Sequence, residues 1–213
     1  MNFDKLDSDF QAYLKTDHTR WVLGNKVLYD LCDKYPLHTN EEEIIMKIWL
    51  IGRSYAAAIE RVNKAKNDDK DFYYDKVSPH MMKVGSDLDE VIKSLRGSEH
   101  TTKDNLHEIL SAHKFLLDQF EEITNMKKRS LASKYLHFHC PNLFYIYDSR
   151  SSAKISEYVK LDKSDKSIID DIKKYDYEYT IFALKAIKLQ NHLHEKYGKL
   201  LTPREIDNFL LGY

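Results

Sequence analysis

The feature that most constrains this chain is an apolar spacing of three and four residues that recurs from one end to the other. Phe3, Leu6, Phe10 and Leu14 begin it, Ile44, Ile48, Ile51, Tyr55, Ile59 and Val62 mark one long face, and Leu106, Ile109, Leu110, Leu117, Phe120 and Ile123 mark another. Such spacing gathers apolar side chains on one side of a 3.6-residue turn, whereas no alternating strand pattern survives for more than a few residues. Only 6 Gly and 4 Pro occur among 213 residues, so few positions favour breaking a helix. The expected fold is all-α, a two-lobed bundle of roughly nine to eleven helices.

The boundaries follow from caps and breakers. A second helix is expected over Trp21 to Tyr35, and a third over Glu41 to Val62, opened by Thr39-Asn40 with acidic residues in its first turn. The charged run 63 to 72 reads as a solvated connector. Ser78-Pro79 reads as N-cap and first helical position of a segment reaching Leu95, with Gly97 as its stop. A helix over 104 to 123 follows. Further helices are expected near 149 to 160, 165 to 174 and 177 to 197, with a last one opened by Thr202-Pro203. The short apolar run Leu143 to Tyr147, LFYIY, suits a strand or a buried loop equally. With no internal repeat or low-complexity tract, residues 1–213 read as one helical domain, at most divided into two lobes.

Composition narrows the class. A 42% apolar and 31% charged chain belongs to a soluble globule rather than a disordered or fibrous protein. Cys32 and Cys140 are too few for a disulfide framework, which suits free thiols in a reducing cytoplasm. The opening MNFDKLDSDF lacks the basic-then-apolar order of a signal peptide, and no run of ~18 uncharged apolar residues would span a membrane. A formal charge of -1 excludes a protein that coats nucleic acid by global electrostatics, so any such contact must come from a local patch.

The segment Met126 to Arg150, MKKRSLASKYLHFHCPNLFYIYDSR, is where chemistry is expected. Lys127, Lys128, Arg129 and Lys134 concentrate positive charge at the start of a short helix, whose free N–H groups favour an anion. A phosphate seat and an ordinary solvated turn both fit that composition. Ser130 and Lys134 share one helical face. His137, His139 and Cys140 invite a metal reading, but side chains at the end of one helix diverge and no second ligand pair lies at a familiar spacing. No metal is expected there, and packing around Pro141 is the simpler account. Asp148 precedes a helix-start signal, where an aspartate can be an N-cap or a carboxylate facing a substrate.

That order resembles the active-site segment of the helix-hairpin-helix DNA glycosylases. In them a glycine-containing hairpin leads to a small-residue helix, then an apolar stretch ending in an aspartate at a helix start. Here Thr124 to Lys128 lies at the hairpin, Ser130 at the position often held by a catalytic lysine, Ala132 at the small position and Asp148 at the aspartate. The hairpin glycines are replaced by Met126 and Lys128. The terminal LLTPREIDNFLLGY is similar, more weakly, to the closing helix of the 8-oxoguanine-glycosylase branch, where an R-x-h-D pattern occurs.

The resemblance implies a monofunctional DNA glycosylase acting on a damaged or modified base of double-stranded DNA, a hypermodified phage base included, in repair or phage defence. It would act as a monomer and without strand cleavage, since Ser130 replaces the lysine. Asp148, with Ser130 and Lys134, would carry the chemistry. Lys127, Lys128, Arg129 and Arg150 would contact DNA. Trp49, Arg53, Tyr55 and Tyr147 would line a base pocket, although core packing with a buried Arg–Glu pair is the simpler account of Trp49, Arg53, Tyr55 and Glu60. No cofactor is implied, because two cysteines cannot hold the iron–sulfur cluster of the endonuclease III branch. The competing expectation is a non-catalytic module of the same layout that binds nucleic acid or a protein partner.

Overall fold

The computed structural model describes residues 3–61, 71–166 and 172–212. Val62, most of the 63 to 72 connector and part of the 165 to 174 segment lie outside these. Among the described residues there are ten α-helices and no strand: α1 (Phe3–Leu14), α2 (Val22–Lys34), α3 (Glu41–Ser54), α4 (Ser78–Leu95), α5 (Leu106–Thr124), α6 (Arg129–His139), α7 (Ser149–Tyr158), α8 (Lys163–Lys166), α9 (Tyr177–Tyr197) and α10 (Pro203–Leu211). The all-α bundle expected from periodicity is the observed architecture. No described helix is long and apolar enough to cross a membrane.

The core divides in two. One apolar cluster is built by α2 to α6, with Cys32, Ile44, Ile48, Met81, Phe120 and Leu136 buried in it. The other is built by α1, α7, α9 and α10 around Leu6, Phe10, Ile155, Phe182, Leu189 and Phe209. Helix α5 serves both: Ile109, Ala112, Leu116 and Phe120 face the first cluster, and Leu106 and Leu110 the second. Each such buried side chain contributes roughly 1.5–3 kcal/mol, so neither cluster is incidental.

Caps set several boundaries. Asn40 accepts from the Glu43 N–H at 3.1 Å to open α3, and Thr202 with Glu205 forms a capping box at α10. Two expectations are corrected. Helix α3 stops at Ser54, short of Val62, because Ala56 adopts φ 51° and turns the chain back over Gly52. A Cβ on Gly52 would stand 3.1 Å from the Ala58 Cα. Ile59 is therefore buried as the helical spacing required, but from a loop. Ser78 is no N-cap either: a π-helical turn over Tyr73–Val77 runs into α4, and the Ser78 hydroxyl donates to Glu41 Oε1 at 2.8 Å.

The LFYIY run is a buried loop. Leu143, Phe144, Tyr145 and Ile146 are inaccessible yet make no strand ladder. Backbone polar groups so buried need partners, and side chains supply them. Thr101 Oγ1 donates to the Leu143 carbonyl at 2.7 Å, His137 Nδ1 bonds the Phe144 carbonyl at 2.9 Å, and the Tyr179 hydroxyl reaches the Tyr145 carbonyl at 3.2 Å. Lys134 Nζ donates to the Tyr147 carbonyl at 3.1 Å, and Ser133 Oγ accepts from its N–H at 3.1 Å. This strap accounts for five buried polar side chains or their tips, and it delivers Asp148 to the start of α7.

Candidate functional site

The basic turn comes first along the chain. Asn125 closes α5 at φ 54°, the left-handed region that asparagine tolerates better than most residues, and its N–H bonds the Glu121 carbonyl at 2.7 Å. A tight connection to α6 therefore forms without the two hairpin glycines. Its cations are mostly committed inside the molecule. Arg129 pairs through Nε and Nη2 with both carboxylate oxygens of Asp176, the second at 2.9 Å, and through Nη1 with Glu178 at 2.7 Å. Lys128 Nζ donates to the Arg61 carbonyl at 2.6 Å. Lys127 is exposed, on a groove it shares with Asp118, Glu121 and Asp176.

Asp148 lies elsewhere, on a cleft of about 360 Å³. The walls come from both halves of the core: Trp21 and Asn25 of the α2 region and Tyr55 after α3 on one side, Arg150 of α7 and Arg204 and Asp207 of α10 on the other. Asp148 is only partly buried, and it does two things. Its Oδ1 accepts from the Ser151 N–H at 2.8 Å as the N-cap of α7, and it still contributes to the cleft wall. The cap and substrate-facing readings of this aspartate are therefore compatible in one geometry.

Beneath the cleft runs a polar network. Arg204 Nε donates to the Tyr29 hydroxyl at 3.2 Å, and the Tyr29 hydroxyl meets His137 Nε2 at 2.7 Å. Because the Phe144 carbonyl can only accept, His137 carries its proton on Nδ1, and Tyr29 donates to Nε2. Burial holds the His137 pKa well below its usual value, so the ring is neutral and this donor order is kept. The Arg204 guanidinium lies over the rings of Tyr55 at 5.5 Å and Phe138 at 5.6 Å. Asp207 is 4% exposed. It accepts from Ser151 Oγ at 3.2 Å and pairs with Arg204 Nη1 at 3.3 Å. Burial, reinforced by the Asp148 charge, pushes its pKa up to about 6 against the pull of Arg204.

The chain matches no protein-family model, no curated protein and no solved structure.

The residues singled out in the sequence are thus distributed over several places. Asp148, Arg150 and Tyr55 meet at the cleft. Ser130 and Lys134 meet each other, Nζ to Oγ at 2.6 Å, behind the strap and outside the cleft lining. Lys134 is 2% exposed, and burial lowers its pKa against the opposing effect of Asp148 and Asp207. The Tyr147 ring points away, its hydroxyl donating to Glu178 at 3.1 Å beside Arg129. Trp49 is 44% exposed, and Arg53 pairs with Glu60; neither lines the cleft. His137, His139 and Cys140 are buried, and no group of three or more metal-ligating side chains occurs among the described residues. Cys32 and Cys140 are free thiols.

Sequence reasoning missed Arg204 and Asp207 as cleft residues, although the R-x-h-D pattern contained both. Tyr29 and Asn25 carried no local signal, since they reach the site only through the packing of α2 on α6.

Proposed function

We propose that this protein is a monofunctional DNA glycosylase that hydrolyses the N-glycosidic bond of a damaged or modified base flipped into the cleft. The observation that carries the reading is Asp148: a carboxylate at a helix start, partly exposed, on a concave wall with an aromatic ring and arginines. An ionised carboxylate there stabilises the positive charge that develops on the sugar as the bond breaks, and it can take a proton from the attacking water. Trp21, exposed on the cleft wall, offers a face on which a base can stack, with Tyr55, whose ring carries Arg204, beside it. Arg20 and Arg150 offer charge for the flanking phosphates. Ser130 in place of an amine supports hydrolysis without a Schiff base, and Lys134, engaged with Ser130 and the strap, supports the same conclusion.

The test is a panel of duplexes carrying uracil, hypoxanthine, 8-oxoguanine or 7-methylguanine, with abasic product revealed by alkali. Wild type should yield strand breaks after alkali only, and Asp148→Asn should be slower by at least about 10²-fold. Equal rates for the two proteins would remove Asp148 from the mechanism.

A second reading is a non-catalytic module of the same layout. One observation favours it: Lys128 and Arg129 spend their hydrogen bonds inside the molecule, so the turn offers DNA little beyond Lys127. Absence of abasic product across the panel, with salt-dependent duplex binding retained, would select it.

A further inference from the structure

Among the described residues, two Arg–Asp pairs bury their aspartate, Arg129–Asp176 and Arg204–Asp207, and they are built differently. Asp176 is gripped by Arg129 through two parallel contacts and also accepts from the Tyr179 N–H at 2.9 Å. This is the short, forked geometry of a fully compensated carboxylate, and its pKa is lowered. Asp207 has no such fork. Its contacts to Ser151 and Arg204 are 3.2 and 3.3 Å, at the outer edge of hydrogen bonding. Arg204 meanwhile divides its guanidinium among Tyr29, the two rings beneath it and Asp207, and its buried Nη2 meets no hydrogen-bond partner among the described residues.

Asp207 also shares its surroundings with a second carboxylate. Asp148 lines the same cleft and is bonded to the same serine, Ser151, through its backbone N–H while Asp207 takes the hydroxyl. The charged and titratable groups facing Asp207 are Arg204 on its own helix, Asp148 at the start of α7, Lys134 of α6, and the hydroxyls of Tyr29 and Tyr55. One carboxyl is open and caps a helix; the other is sunk in the floor of the cleft. Environments that differ in this way assign different protonation states to two like groups.

We infer that Asp207 is the proton donor to the departing base, acting opposite ionised Asp148. The inference rests on the excision reading above. As the bond from the sugar C1′ to the base nitrogen breaks, its electron pair passes to the base. The Asp207 carboxylic acid delivers its proton to the base and is left as a carboxylate. Water adds to C1′ and gives its proton to Asp148. Solvent then returns one proton to Asp207 and removes one from Asp148, so the net change is addition of one water. The raised pKa of Asp207 keeps a usable protonated fraction near neutrality.

The decisive comparison uses leaving groups that differ in their need for a proton. Hypoxanthine must be protonated to leave as a neutral base, whereas 7-methylguanine already carries a positive charge. Asp207→Asn should slow hypoxanthine excision by about 10²-fold or more and 7-methylguanine excision by less than about 3-fold, which also shows that the variant is folded. Equal loss on both bases, or no loss on hypoxanthine, overturns the inference and leaves the excision reading standing. So does a wild type that removes 7-methylguanine alone.

A second measurement needs no variant. For any other panel base that wild type removes, its rate should fall as pH rises above about 6; a flat profile overturns the inference. Absence of abasic product on the whole panel overturns both readings together.

Discussion

Arg129–Asp176 and Arg204–Asp207 are the same two residue types with similarly little solvent exposure, yet they do opposite things to a carboxylate. The first pair gives its aspartate two forked contacts and a backbone N–H, and the aspartate stays firmly ionised. The second leaves an aspartate with long contacts beside another carboxylate, and protonation becomes easy. Burial raises both carboxyls, Asp207 more strongly; at Asp176 it is outweighed by the forked Arg129 contacts and the Tyr179 N–H, and at Asp207 the longer Arg204 contact does not outweigh it. A run of basic residues in sequence does not distinguish a clamp from a site.

The comparison can be broken most severely at the clamp. Arg129→Ala strands a nearly inaccessible Asp176 carboxylate, so chemical denaturation at pH 7 should report a loss of about 3–5 kcal/mol. A loss under about 1 kcal/mol would mean that water reaches Asp176 readily.

The next largest effect separates the pairs by pH. Asp207 has a raised pKa when folded, so its contribution to stability grows as pH falls through about 6 and is complete below the unfolded value near 3.8. Asp176, with a lowered pKa, contributes stability that is lost as pH falls through its folded value. Relative to wild type, Asp207→Asn should lack a gain of about 2.4 kcal/mol between pH 7 and pH 4, read by urea unfolding at each pH. Parallel wild-type and variant curves would refute the assignment.

His113 extends the comparison to a cation. Its ring stacks on Tyr179 at 3.6 Å, and burial pushes its pKa down to about 3. The unfolded chain takes up a proton below about 6.5 while the folded one does not, so His113 costs stability as pH falls from about 6.5 toward 3. His113→Phe should narrow the difference in stability between pH 7 and pH 5 by about 2 kcal/mol. An unchanged difference would show that the folded ring accepts a proton. The smallest effect belongs to exposed Lys127, where Lys127→Gln should move the unfolding free energy by no more than about 0.5 kcal/mol.

How much of this was legible in the sequence differs between fold and site. Helix periods and caps are local properties, so α1, α2, α4 and α9 could be placed closely from spacing and α10 from Thr202-Pro203, while Asn40 marked only the start of α3. Helix α3 could not, because Ile59 keeps the helical spacing while the backbone turns at Ala56 over Gly52, a tertiary contact with no local signature. For the site, Asp148 and Tyr55 meet at one cleft. Arg129 does not join them, since its carboxylate partners lie 47 and 49 positions away and no local pattern announces them. Trp49 failed for a related reason: one helix offers several faces, and the partners of α3 decide which of them is covered.

Helix α5 carries one more consequence. Because Leu106 and Leu110 pack with one apolar cluster and Ile109, Leu116 and Phe120 with the other, a single rigid rod is common property of both halves. The chain should therefore melt in one cooperative transition and should resist dissection into independently stable fragments. With that rod as the shared axle, the cleft lies on the seam between the α2–α3 side and the α7–α10 side.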